Sequence, residues 1–184
     1  MRLVNLPNLI SLGRLMSVPV ITWLIMESRM AAAFWLFVAA GATDAIDGFI
    51  AKRFDSRTEL GAYLDPLADK ALLVSTYVTL GITGLLPGWL VTLVVFRDVL
   101  IIGGALLIHT LRQTLTMRPL LISKLNTAAQ IALAALVLAG AGLGFAAPDL
   151  RTALCVLVTV TTFLSGAAYV VAWGRRTPDM KRKP

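Results

Sequence analysis

The sequence predicts an all-α integral membrane protein: six transmembrane helices, a short interfacial segment at the N-terminus, and both termini in the cytoplasm. Three observations predict it. Of 184 residues, 58% are hydrophobic and 15% charged, against roughly 45–50% and 25% in a soluble domain. The apolar residues fall into six long runs, each near the roughly 20 residues a spanning helix needs. The basic residues gather in alternate connections, the pattern that sets orientation in a bilayer.

The runs cover 8–26, 30–51, 61–80, 86–109, 120–138 and 153–173. Arg14 interrupts the first, and five more follow, so it reads as a retained helix rather than a cleaved signal. The connections are short. The third carries Gly84 and Pro87, and the fifth is glycine-rich with Pro148, residues that end helices. Arg2, Lys52, Arg53, Arg57, Arg112, Arg118 and the tail basics fall on one side, while only Arg29 and Arg151 fall on the other. That places both termini and the 52–60 loop in the cytoplasm. The organisation expected is a single domain, 1–174, with a basic cytoplasmic tail, 175–184. The net charge of +7 suits anionic lipid headgroups. Nucleic acid is not expected as a partner, because no basic stripe is interleaved with exposed aromatics. One cysteine, Cys155, and one histidine, His109, leave no disulfide and no Cys- or His-based zinc site within the chain.

Six of the ten acids fall within 26 positions: Asp44, Asp47, Asp55, Glu59, Asp65 and Asp69. Asp44 and Asp47 are three apart near the end of the second run. Asp65 and Asp69 are four apart at the start of the third. Each spacing puts its pair on one helix face, and a short loop lets the two helices run antiparallel. Carboxylates inside a spanning segment are costly and mark function. Four at one depth need positive charge among them. Oxygen-only ligands suit Mg²⁺ or Mn²⁺, and four carboxylates can hold two such cations side by side for displacement at phosphorus. Gly48 and Ala51 share the face of Asp44, and Gly61 precedes Asp65 by one turn. Such small residues leave room for a ligand, or serve helix packing. A cation transporter is the alternative of another class. It predicts acids spread through the bilayer and an internal repeat, and the sequence has neither.

The run Asp44-Ala-Ile-Asp47-Gly48-Phe-Ile-Ala51-Lys52, followed after eight residues by Gly61, Asp65 and Asp69, resembles the signature of the CDP-alcohol phosphotransferase family. Seven of its eight defined positions agree. Lys52 stands where the family has arginine, with Arg53 next to it. The resemblance implies a six-helix homodimer in the membrane that uses two divalent cations and releases CMP from a CDP-linked lipid. It implies that Asp44, Asp47, Asp65 and Asp69 hold the metals and that Asp69 is also the candidate general base. It implies that Gly48, Ala51 and Gly61 line the CDP site, with the arginine's role passing to Lys52 or Arg53.

Outside the motif, Leu6-Pro7-Asn8-Leu9-Ile10-Ser11-Leu12-Gly13-Arg14 is similar to the start of phosphatidylglycerophosphate synthases and CMP-forming cardiolipin synthases. Arg14 either snorkels to the interface or binds an anion near the site. Arg97-Asp98 is either a self-neutralising pair or presents Arg97 to an acceptor phosphate. Lys124, Thr127 and Gln130 stand three apart on roughly one face and read as a polar, basic stripe at the start of the fifth helix, or as a membrane-interface anchor; the run Ser123-Lys124-Leu125-Asn126-Thr127 with Gln130 is more similar to the cardiolipin synthases. Thr161, Thr162, Ser165 and Tyr169 are similar to that group's ending, or form a polar packing seam. The acceptor residues expected are thus Arg97, Arg118, Lys124, Asn126, Gln130 and Arg14. The resemblance implies CDP-diacylglycerol as donor, with phosphatidylglycerol favoured as acceptor and glycerol 3-phosphate as the alternative. A bacterial cytoplasmic membrane is expected ahead of a mitochondrial inner membrane, with the active site on the cytoplasmic side.

Overall fold

The computed structural model describes residues 6–54, 59–112 and 121–174, with side chains described for 10–43, 65–104 and 121–171. The described residues are helical throughout apart from short turns. Six helices follow one another: α1 (Leu6–Met26), α2 (Met30–Phe54), α3 (Glu59–Ile82), α4 (Gly88–Arg112), α5 (Leu121–Leu143) and α6 (Pro148–Gly174). Each apolar run is there, and most helices extend beyond the run that announced them. Hydropathy marks the apolar middle of a helix and drops its polar ends. Lys52 and Arg53 accordingly lie in the last turn of α2 and not in the loop, and α3 begins at Glu59.

The largest shift is between α5 and α6. A glycine-rich loop over 139–150 is expected, but α5 continues to Leu143 and α6 starts at Pro148. Proline is pre-organised for a first helical turn, and Asp149 beside it faces the positive end of the helix dipole. Gly140 and Gly142 lie inside α5, where close approaches of other backbone account for the missing side chains. A Cβ on Gly142 would stand 2.6 Å from the Ala31 Cα and from the Met30 carbonyl carbon.

Hydrogen bonds define two of the helix ends. After α1, the N–H of Ser28 donates to the carbonyl of Ile25 (3.0 Å) and that of Arg29 to Leu24 (2.8 Å). This pair of bonds forms a Schellman motif, with Ser28 in the left-handed region at φ 59°. After α3 the same motif recurs, with Gly84 at φ 73° and the N–H of Leu85 donating to the carbonyl of Leu80 (2.9 Å).

The chain forms two compact units. Among the described residues, one comprises those of 6–88 and 134–148, the other those of 89–133 and 149–174. In the first, α1 lies against α2 and, more extensively, against α3. Ile21, Ile25, Phe37, Leu73, Tyr77 and Leu80 are buried there. In the second, Leu90, Val94, Leu133 and Val158 are buried.

Polarity is inverted relative to a soluble fold. Trp35, Phe96, Val99, Leu121 and Phe163 are exposed, whereas Ser11, Arg14, Arg97, Asp98, Asn126 and Gln130 are buried. Apolar surface on this scale is not left to water. In lipid it costs nothing, while polar side chains seek the protein interior. Among the described residues, α5 and the Pro148–Val171 stretch of α6 are long and apolar enough to cross a bilayer.

Candidate active site

The site is built on α3 and braced by α1. Asp65 and Asp69 stand one turn apart on one face of α3, roughly 6 Å along its axis. α1 supplies a partner for each. Ser11 Oγ donates to Asp65 Oδ1. Arg14 Nη1 donates to Asp69 Oδ1 and closes an ion pair. Ser11 and Arg14 are three apart, so they also share a face, and two polar rungs cross between apolar helices. The Arg14 carbonyl in turn accepts from Ser17 Oγ at 2.6 Å.

The two ends of the ion pair differ in exposure. The Arg14 side chain is 1% exposed and that of Asp69 45%. Arg14 therefore does not snorkel; its guanidinium is enclosed on a carboxylate. Asp69 keeps an open side on which a ligand can approach. Pro66 follows Asp65 inside α3; lacking an N–H, it removes one helix hydrogen bond beside the site.

Asp44, Asp47, Gly48, Ala51, Lys52 and Arg53 lie on α2, and Gly61 on α3. Their side chains are outside those described, and Arg118 is outside the described residues altogether. Among the described residues no group of three or more His, Cys, Asp or Glu stands together. What is described fits a hard divalent cation: carboxylate oxygens, no sulfur or imidazole, and one carboxylate open on one side. A carboxylate bonded at one oxygen retains further acceptor sites, so the bonds from Ser11 and Arg14 do not use up either aspartate.

A second polar cluster occupies the other unit, where α4, α5 and α6 meet. Arg97 Nη1 donates to Asp98 Oδ1 at 2.7 Å, Nη2 to Ser123 Oγ at 2.6 Å, and Nε to Ser165 Oγ at 3.1 Å. The Arg97 fork thus donates to three side chains of the protein, Asp98 among them, which is the geometry of the self-neutralising pair. Nearby in sequence, Asn126 Oδ1 accepts from Thr161 (2.8 Å) and Thr162 (3.0 Å). The Asn126 amide nitrogen is buried, with no hydrogen-bond partner among the described residues.

The expected stripe on α5 divides. Asn126 and Gln130, four apart, are buried together, while Lys124 is exposed. Two residues of helix turn through about 200°, so Lys124 and Asn126 cannot share a face. Ser11 and Ser123 stand in the quoted runs but are not among the expected site residues. The signal that could have found Ser11 is its place three residues before Arg14, on the same face of α1.

Residues 4–173 match the CDP-alcohol phosphatidyltransferase family. The chain is 35% identical over 189 residues to a CMP-forming cardiolipin synthase of Homo sapiens, across 94% of this chain and 62% of that one. It is 35% identical over 199 residues to the chloroplastic CDP-diacylglycerol–glycerol-3-phosphate 3-phosphatidyltransferase 1 of Oryza sativa subsp. japonica, across 96% and 59%. It is also 35% identical over 183 residues to a cardiolipin synthase (CMP-forming)/mitochondrial hydrolase fusion protein of Schizosaccharomyces pombe, across 91% and 31%. The chain thus spans less than two thirds of the length of each of these relatives.

Proposed function

The chain belongs to the CDP-alcohol phosphatidyltransferase family, and from that premise we propose that it moves the phosphatidyl group of CDP-diacylglycerol onto an alcohol and releases CMP. The observation that carries the proposal is the pair Asp65 and Asp69, ionisable side chains one turn apart on α3 and bonded by α1. They complete a signature whose earlier half, Asp44-x-x-Asp47-Gly48, lies on α2. Four carboxylates drawn from two helices have no structural use that apolar residues would not serve better.

Asp44, Asp47, Asp65 and Asp69 would hold two divalent cations, Mg²⁺ or Mn²⁺. When bound, these neutralise the pyrophosphate oxygens and stabilise CMP as it leaves. The protein's own part is positioning and proton transfer. Gly48, Ala51 and Gly61 keep the helix surface low for the cytidine nucleotide, and Lys52 or Arg53 offers it a cation. Asp69 takes the proton of the acceptor hydroxyl. The oxygen so freed bonds to phosphorus while the bond from phosphorus to the CMP oxygen breaks.

The acceptor we favour is phosphatidylglycerol, which gives cardiolipin. Asn126 and Gln130, on the buried face of α5, are proposed to receive its headgroup, with Lys124 and Arg118 as cations for its phosphate. The unsatisfied Asn126 amide supports this, since a buried donor calls for an oxygen partner. Glycerol 3-phosphate is the second reading, and relatives of both kinds stand at the same 35% identity. The enzyme is read as six spans of a bilayer, a homodimer, with the site at the cytoplasmic face. A bacterial cytoplasmic membrane is favoured over a mitochondrial inner membrane.

The test is incubation of purified protein with CDP-diacylglycerol and each acceptor in turn, followed by lipid mass spectrometry and a CMP assay. Cardiolipin from phosphatidylglycerol is expected. Phosphatidylglycerophosphate from glycerol 3-phosphate, without cardiolipin, would replace the favoured acceptor. No CMP with either acceptor would remove the transferase reading.

A further inference from the structure

We propose that Ser11 and Arg14 are positioning residues for the metal carboxylates: α1 is a rack that fixes Asp65 and Asp69 in the orientation a cation needs. The inference rests on the two-cation reading above and deepens it.

Both rungs have the same form. Each residue of α1 donates to Oδ1 of one aspartate. The i, i+3 spacing on α1 meets the i, i+4 spacing on α3, so one packed helix pair aligns both contacts at once. Ser11 and Arg14 are themselves buried, 2% and 3% exposed. Neither is a mobile surface group that reaches a carboxylate by chance. A carboxylate on a helix otherwise samples several rotamers. A donor held on a neighbouring helix selects one and leaves the remaining lone pairs for a metal. Partners of this kind, hydrogen-bonded to a ligating side chain, commonly matter to metal affinity by about 10–100-fold.

The two rungs act differently. Ser11 is neutral and contributes direction only. Arg14 adds charge, so its guanidinium balances Asp69 before a cation arrives and repels the cation slightly once it has come. The geometric role is therefore read most cleanly at Ser11. At Arg14 it is read with a variant that keeps the charge.

The test measures Mn²⁺ binding by electron paramagnetic resonance on the purified full chain in nanodiscs, with no lipid substrate present. Ser11→Ala should bind Mn²⁺ about ten-fold more weakly than the unaltered protein, the low end for a lost partner of a ligand. Ser11→Thr, which keeps the hydroxyl, should recover most of that loss. Arg14→Lys keeps the charge and gives up the planar fork, so weaker binding there reports orientation. Circular dichroism on each variant confirms that the helices are intact, and Ser11→Thr carries the test should Ser11→Ala fail to fold. In that case a folded Ser11→Thr protein that binds Mn²⁺ about as well as the unaltered protein supports the rack, and one that binds it about ten-fold more weakly counts against it. Unaltered protein that binds Mn²⁺, with Ser11→Ala at the same affinity, overturns this inference alone. Unaltered protein that transfers phosphatidyl groups but binds no Mn²⁺ overturns the metal reading beneath it.

Discussion

Arg97→Met, with Asp98 left in place, is expected to be among the most damaging single changes in the second unit. Arg97 and Asp98 are each 3% exposed. The substitution removes the 2.7 Å bond to Asp98, the 2.6 Å bond to Ser123 and the contacts to Ser165. Hydrogen bonds to charged groups contribute about 1.5–3 kcal/mol each. They do not add here, because most of the cost is a buried carboxylate that has lost its counter-ion. Removing one member of a buried ion pair costs about 3–5 kcal/mol, and that range is the expected loss. Arg97→Met/Asp98→Leu should recover most of it, since a well-packed apolar replacement of the whole pair is commonly neutral. Ser123 and Ser165 can then turn to their own helix carbonyls. The assay is reversible unfolding of the purified protein by sodium dodecyl sulfate in mixed micelles, with the acceptor KM measured on the refolded double variant. A single variant as stable as the double would refute the ion-pair argument. A double variant that is stable but has lost acceptor affinity would show that Arg97 reaches the substrate after all.

Three further outcomes are expected. Asp65→Asn should abolish transfer at ordinary Mg²⁺ or Mn²⁺, whereas Asp69→Asn should keep CDP-diacylglycerol binding and lose turnover; equal loss of both in Asp69→Asn would leave that residue a metal ligand only and place the base elsewhere. Lys124→Ala should raise the acceptor KM and leave the cation dependence unchanged, because Lys124 is exposed and on a different helix from Asp65 and Asp69; an unaltered KM would remove it from the acceptor site. Gly142→Ala should destabilise the first unit, because a Cβ would stand 2.6 Å from the Ala31 Cα where carbon atoms keep about 3.5–4.0 Å; the cost of such overpacking is typically about 1–3 kcal/mol, and unfolding in mixed micelles identical to that of the unaltered protein would contradict it.

The helices could be read from the sequence because each is an apolar run that reports on itself. Their ends could not, for local reasons that hydropathy ignores. Ser28 ends α1 by taking a left-handed conformation, which serine rarely does, and the bonds that stabilise it come from the preceding turn. Glycines near 140 read as a loop. They lie in a helix, and Gly142 lets α5 pass against the start of α2, a neighbour more than a hundred positions away.

The site divides along the same line. Asp65 and Asp69 were legible because both members of the pair lie on one helix, and spacing alone places them on one face. Their partners were not, because Ser11 and Arg14 are more than fifty residues distant, and nothing local says which face of α1 meets α3. The α5 residues pose the opposite problem. Lys124, Asn126 and Gln130 are close enough in sequence to look like one group, yet the helix turns Lys124 outward and Asn126 inward. Arg97 shows what resolves such cases. A buried guanidinium must satisfy a fork of donors in fixed directions. The sequence offered Asp98 alone as an obvious partner, and the fold supplies Ser123 and Ser165 from two other helices. In a membrane enzyme each buried charge therefore carries a checkable demand. Its partners must come from inside the protein, because lipid supplies none.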